Sequence, residues 1–295
     1  MLKFRRARQS DKKEVLKFCS STFDWGDYIE QVWDVWCSDP NGYFVVVEDN
    51  EVLAAVSHAY VCPYKNRVWL EGVRVNPDFR RRSIGTDLIK RMIQYGMEQG
   101  AHEAAGLVSV KNVASQAMMK KNGFVVTSAW SFCYSSTNVH QKPVNDQVRI
   151  ATLEDRELIC TYLKQSQIFR AAAENYAHLW RWYHLDLSSD ILRSLIGDSK
   201  IIIMTNHDRS IIQGLTIINE KENNIFQIGY IDALDAETLR YLIAFVINLG
   251  SSELREKKSE TLQMFIPNTS FLQSAMTGLE INQYGHFLLY RMDFS

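Results

Sequence analysis

Apolar and polar residues alternate through Trp69–Val75, with Trp69, Glu71, Val73 and Val75 on one parity and Leu70, Gly72 and Arg74 on the other. That period of two predicts a strand, and Pro77, which cannot donate to a ladder, ends it. After three arginines the period lengthens. Ile84, Leu88, Ile89, Met92, Ile93 and Met97 fall on one face of an amphipathic helix running to about Gln99. Upstream, Leu2–Arg8 reads as a strand, Lys12–Cys19 as a helix capped by Ser10 or Asp11, and Ile29–Cys37 as a second helix. Asp39-Pro40-Asn41-Gly42 is a turn, and Tyr43–Glu48 with Val52–Tyr60 reads as a hairpin. Downstream, Ala104–Val110 is short and apolar, a buried strand, and Asn112 can cap a helix that Gly123 stops. Strands and helices interspersed in this way predict the α/β class with a mixed sheet.

The second half repeats the order of parts. Arg149–Asp155 echoes Arg5–Asp11, Ile201–Gly214 echoes the hairpin Phe44–Val56, Phe226–Asp232 falls where Trp69–Val75 fell, and Pro267-Asn268 falls where Asn112 fell. A polar stretch with Pro143 lies between the halves. The expected division is a domain over 1–136, a linker over 137–146 and a second domain over 147–295. A length of 295 residues suits two domains.

Composition narrows the function classes. Apolar content of 46% with 23% charged residues is that of a soluble globular chain, and a net charge of −1 argues against a nucleic-acid footprint. No apolar run approaches the ~18 residues of a membrane span, and Lys3, Arg5, Arg6 and Arg8 interrupt any signal-like start. The cysteines are odd in number, widely spaced and without Cys-x-x-Cys, so reduced thiols and a cytoplasmic location are expected, with no metal site.

The chemistry gathers behind the Trp69–Val75 strand. A strand, the basic turn Arg80-Arg81-Arg82, the small residues Ser83-Ile84-Gly85-Thr86 and a helix N-terminus together make an anion site. This run resembles the acetyl-CoA pyrophosphate loop of the GNAT (Gcn5-related) N-acetyltransferases, Gln/Arg-x-x-Gly-x-Gly/Ala, with Ser83 in place of the first glycine. A second GNAT signature follows in the correct order, matching at Asn112, Ser115, Met118, Lys121, Gly123 and Phe124. The resemblance covers about residues 1–135, and the repeat then reads as a second, degenerate GNAT-like fold in tandem. In that half Ile228 stands where Glu71 was, and Leu234-Asp235-Ala236-Glu237 replaces the arginine loop. Acidic residues repel phosphate, so the second half is expected to bind no CoA.

The resemblance implies acetyl-CoA as cosubstrate. It places the pantetheine arm along the backbone of Val73, Arg74 and Val75, and the pyrophosphate over Arg80 to Thr86. Asn112, Ser115 and Met119 lie on the neighbouring helix. It implies Glu71 as general base for an amine nucleophile, where the residue-level alternatives are a solvent-facing glutamate or a partner for Arg74. The family's usual tyrosine acid is Met119 here; Tyr134 or an unassisted thiolate departure are the alternatives. Cys62 and Cys133 read as inert rather than as acyl carriers. For the acceptor, the resemblance points to the connection between the first two helices: Asp24, Trp25, Asp27 and Tyr28 would suit a cationic amine, or would simply cap and pack. Arg181, in an aromatic segment without counterpart in the first half, could clamp a carboxylate between the two halves. The layout is similar to the histidine N-acetyltransferase-like branch. The expected function is acetyl transfer to a small amine, with no nucleic-acid or membrane partner and an open oligomeric state. An acyl-CoA-binding sensor and a protein acetyltransferase are the alternatives.

Overall fold

A computed structural model describes the chain apart from residues 1, 21, 23–25, 63–65, 137–144, 222–224, 255–260, 280 and 295. The predicted linker over 137–146 therefore lies mostly outside the described residues. The chain forms two compact units, residues 1–126 with 289–295, and residues 127–288.

The first unit runs β1 (Leu2–Arg6), α1 (Lys12–Cys19), α2 (Ile29–Ser38), β2 (Gly42–Asp49), β3 (Val52–Val61), β4 (Arg67–Val75), α3 (Ile84–Glu98), β5 (Glu103–Ser109) and α4 (Val113–Lys121). Its sheet has the order β1-β2-β3-β4-β5, antiparallel except for the parallel pair β4–β5. Residues Tyr43–Val47 are buried without alternation because both faces of β2 are covered. On one face, Val15, Phe18 and Cys19 of α1 and Ile29, Trp33 and Trp36 of α2 pack on Phe44, Val46 and Val56. On the other, α3 brings Tyr95 against Tyr43 and Met92 against Ser57.

The second unit contains β7 (Val148–Ile150), α5 (Arg156–Gln165), α6 (Gln167–Ala171), β8 (Asn175–His178), β9 (Arg181–His184), α7 (Asp190–Gly197), β10 (Ile201–Thr205), β11 (Ile212–Lys221), β12 (Ile225–Ala233), α8 (Ala236–Leu254), β13 (Thr261–Pro267) and α9 (Ser270–Ala275). Its strand order, β7-β10-β11-β12-β13, again has one parallel pair, β12–β13. The echo seen in sequence has a structural basis. In the first unit Arg5 grips Asp11 at 2.7 and 2.9 Å while Asp11 accepts from the Arg8 amide; in the second, Arg149 grips Asp155 while Asp155 accepts from the Thr152 amide. The Arg149 guanidinium holds the Asp155 carboxyl down at about 2. Its stabilisation is present above the ordinary carboxylate range and is lost as pH falls through about 2.

The compact units depart from a simple division at the linker. β6 (Val125–Ser136) passes into the second unit, where it pairs antiparallel with β13. The end of β14 (Asn282–Asp293) returns to the first unit, where it stands beside β5. Glu103 joins the two ends there, holding Arg67 at 2.5 Å and Arg291 at 3.6 Å. Each unit is thus completed by a strand from the other half of the sequence.

β4 carries the feature that positions the site. Against β3 it pairs Glu71 with His58 and Arg74 with Val56, so β4 has one residue more than its partner across this interval. Gly72 takes up that bulge at φ +70°, and a Cβ there would lie 2.6 Å from the Trp36 ring. Gly72→Val should therefore cost about 2–4 kcal/mol through left-handed strain and overpacking. Thermal denaturation checks this, and a melting temperature equal to wild type would show that the bulge is dispensable.

Candidate active site

The bulge places Glu71 and Arg74 on the same α1–α2 face although uninterrupted alternation would separate them. Glu71 is only 14% exposed at its side chain, and its Oε1 lies 2.9 Å from His58 Nδ1. His58 is fully buried, its ring stacked on Trp36 at 4.6 Å with planes 7° apart. The Glu71 carboxylate is thus largely buried and paired with His58. The guanidinium instead takes Asp27, with Nε 2.6 Å from Oδ2, and lies 5.1 Å from the centre of the Tyr28 ring. Burial alone would lower Arg74, but Tyr28 and Asp27 hold it above its ordinary value. Burial pushes the Tyr28 phenol up to about 12, against the pull of Arg74.

Asp27 and Tyr28, expected to meet an acceptor, thus anchor the α1–α2 connection to β4 through Arg74, which was expected on the cofactor side. Asp24 and Trp25 lie outside the described residues. Asp27 also accepts from the Ile29 amide at the start of α2, 3.0 Å, so the capping alternative applies to it.

The ladder joining β4 to β5 has the pairs Arg67–Glu103, Val68–Ala104 and Trp69–Ala105. Past that point no further ladder pair joins them among the described residues, and β4 continues through half-buried Val73, Arg74 and Val75. A backbone edge of this kind can accept an extended ligand as an added strand. Met119 fills the start of the opening: its Cε and the Leu70 carbonyl lie 3.3 and 3.0 Å from where a Cβ on Gly106 would be. Met119 is 4% exposed and brings no hydroxyl. Tyr134 is on β6 in the second unit, opposite Gln263.

At the end of β4 the chain makes a short turn over Pro77–Phe79 and then the exposed run Arg80–Ser83. Arg81 and Ser83 both have φ near +60°, at 62° and 63°. Ser83 stands at the N-cap of α3 but makes no side-chain cap bond, so the first amides of α3 have no side-chain acceptor at that position. Ile84 is buried in the core and contributes its backbone only. Gly85 is required by close approach, since a Cβ would meet Met118 Sδ at 2.8 Å. Thr86 is half-buried beside it. Arg80 reaches the Val75 carbonyl at 3.4 Å, and Arg82 lies 3.6 Å from Asp49 and over the Phe79 ring. Asn112 caps α4 by accepting from the Ser115 amide, 3.0 Å. An open, positively flanked helix start is a kind of geometry that suits an anion. Arg81→Ala should weaken CoA binding roughly threefold to tenfold, and more at low salt. Titration calorimetry at two salt concentrations checks it; unchanged affinity would place the phosphates elsewhere.

The second unit closes the same position. Asp235 accepts from the Thr238 amide at 2.8 Å, so a carboxylate occupies the start of α8. The β8–β9 hairpin lies on β11 and β12, with the Leu179 amide 2.7 Å from Gln227 Oε1 and Asn219 Nδ2 2.9 Å from the Ala177 carbonyl. Its Trp180 and Trp182 pack on Phe265, and Trp182 also on Trp130, within this unit. Arg181 lies on β9 opposite His178. Asp232 is buried, with the hydroxyls of Tyr162, Ser166 and Tyr230 all donating to it.

Sequence reading missed His58. The signal was a lone histidine in the largely apolar run Leu53–Val61, at a position the hairpin register sets across from Glu71. Burial pushes the Cys19 and Cys133 thiols up to about 12, and Cys62 is buried. Among the described residues no group of three or more His, Cys, Asp or Glu side chains could hold a metal ion, and no helix is long and apolar enough to cross a membrane.

Residues 12–124 match the model of the Acetyltransferase (GNAT) family. The aminoglycoside N(6')-acetyltransferase type 1 of Salmonella typhimurium is 36% identical over 76 residues, 25% of this chain and 52% of that protein. The chain thus spans about half the length of the curated relatives it matches. Among solved structures, a GCN5-related N-acetyltransferase from Sphaerobacter thermophilus superposes with a TM-score of 0.60 at 12% identity, covering 99% of this chain and 95% of that one. A tandem GNAT protein from the clavulanic acid biosynthesis pathway gives 0.53 at 11% identity, covering 99% and 98%. At such identities the likeness is one of fold. The likeness to the acetyltransferase (GNAT) family lies in residues 12–124, and the chain as a whole has the fold of two GNAT-like domains in tandem.

Proposed function

We propose that the first unit transfers an acetyl group from acetyl-CoA to the primary amine of a small molecule, with Glu71 as general base. The observation that carries this is the conjunction on β4 of a largely buried carboxylate, a ladder to β5 that stops beside it, and an uncapped helix start at the strand's far end. The phosphates of CoA would lie on the Arg80–Thr86 turn and its pantetheine arm along Val73–Val75. The amine nitrogen attacks the thioester carbonyl carbon, the C–S bond breaks, and the thiolate leaves. The nitrogen's proton goes to Glu71 and from there to solvent. An α-amine with a pKa near ~8 is about a tenth neutral at pH 7, so a modest base suffices.

No tyrosine stands at Met119, and the leaving thiol needs little help, since its acidity is close to the ~8.5 of a cysteine. The second half, with Asp235 on the start of α8, acts as a companion fold that binds no CoA. The likeness to an aminoglycoside acetyltransferase favours a small cationic acceptor. Met119 supports a second reading, an acyl-CoA-binding sensor without turnover.

Release of free thiol from acetyl-CoA across aminoglycosides, amino acids, polyamines and peptides separates these readings. Turnover with one small amine, and one CoA bound per chain, is the expected result. CoA binding without thiol release on any acceptor would favour the sensor, and turnover on peptides alone would favour a protein acetyltransferase.

A further inference from the structure

We propose that His58 is a positioning residue for Glu71, held with its second ring edge turned to Asp39. The inference rests on the reading of Glu71 as the base. His58 has no exposed surface, and its Nδ1 is 2.9 Å from Glu71 Oε1. An ionised carboxylate only accepts, so Nδ1 carries the proton and donates. Nε2 is then a lone pair in the neutral ring. It is buried without a hydrogen-bond partner and lies 3.9 Å from Asp39 Oδ2.

The turn after α2 holds Asp39 in place, because its Oδ1 accepts from the Asn41 amide at 2.9 Å. The ring itself is held by the Trp36 stack and the edge of Phe44, 6.0 Å away. A phenylalanine would serve a purely apolar slot better, since a buried ring nitrogen without a partner is costly. What the imidazole offers in place of a phenyl ring is the N–H that it directs at Glu71.

The ring fixes the Glu71 carboxylate through Nδ1–H, so that its oxygens keep one orientation toward the amine. The other charged groups nearby are Arg6, which donates to the Gly42 carbonyl at 2.9 Å, and Tyr28 with its Arg74–Asp27 pair on the Glu71 side.

The test compares kcat and the KM for acetyl-CoA in wild type, His58→Leu, His58→Asn, His58→Gln and Glu71→Gln, with the amine that supports turnover. Asparagine can place an N–H where Nδ1 was; leucine cannot, and glutamine places its N–H at the opposite edge. His58→Leu should lose at least tenfold in kcat with the KM for acetyl-CoA little changed, His58→Asn should recover most of that loss, and His58→Gln should not. Should the leucine variant not fold, the two amide variants decide: a wild-type kcat in both overturns the inference. Loss of turnover in Glu71→Gln together with a wild-type rate in the His58 variants would defeat this inference alone. Retained turnover in Glu71→Gln would defeat the reading beneath it.

Discussion

Arg74→Ala is expected to lower folding stability by about 3–5 kcal/mol, because it strands a buried charge. The side chains of Arg74 and Asp27 are 10% and 4% exposed, and the guanidinium meets the carboxylate at 2.6 and 3.3 Å. Removing the cation leaves the Asp27 carboxylate without its guanidinium beside Tyr28 and the raised Cys19 thiol, with the Ile29 amide still donating to it. The α1–α2 connection should loosen as a result, and acceptor binding with it. Replacing both partners, Arg74→Met with Asp27→Leu, should recover much of the stability, since a well-packed apolar pair avoids the desolvation of two charges. Urea unfolding of the single and double variants measures both effects. A loss below about 1 kcal/mol in Arg74→Ala, accompanied by weaker CoA binding, would mean that the guanidinium serves the ligand as the sequence suggested, and not the loop.

The legible parts of this molecule were those written in local periods. The helix Lys12–Cys19 has the bounds its apolar spacing gave, and Asn112 caps α4 as expected. The tandem reading rested on an Arg–Asp spacing that proved to be a repeated helix-capping device. What failed was longer-ranged. A strict period of two put Arg74 opposite Glu71, but a one-residue bulge at Gly72 returns it to the same face. The His58–Glu71 contact follows from hairpin register, which no single strand reveals. In the second half Thr269, not Asn268, caps α9, because its hydroxyl reaches the Leu272 amide. The exchange of β6 and the end of β14 was invisible, since strand propensity does not say which sheet edge a strand completes. The aromatic segment around Trp180, without counterpart in the first half, forms a hairpin in the second unit, where its indoles meet Phe265.

Glu71→Gln carries the largest catalytic expectation. A positioned general base contributes about 10²–10⁴ in rate, and glutamine keeps the shape and can still accept from His58 Nδ1–H while taking no proton. The fold should be undisturbed, for the substitution removes a charge from a partly screened site and leaves the Trp36–His58 stack in place. CoA affinity should be unchanged, because the phosphate turn begins beyond Val75 and does not touch Glu71. Raising the pH should rescue part of the variant's rate, as more of the amine becomes neutral without help.

The decisive measurement is thiol release from acetyl-CoA by wild type and Glu71→Gln side by side, from acid to alkaline pH, with CoA binding titrated on both. A fall in kcat/KM of about 10²–10⁴ near neutral pH, narrowing as the pH rises, with equal CoA affinity, is the predicted result. Equal turnover by the two proteins at neutral pH would contradict the account and move the base away from β4.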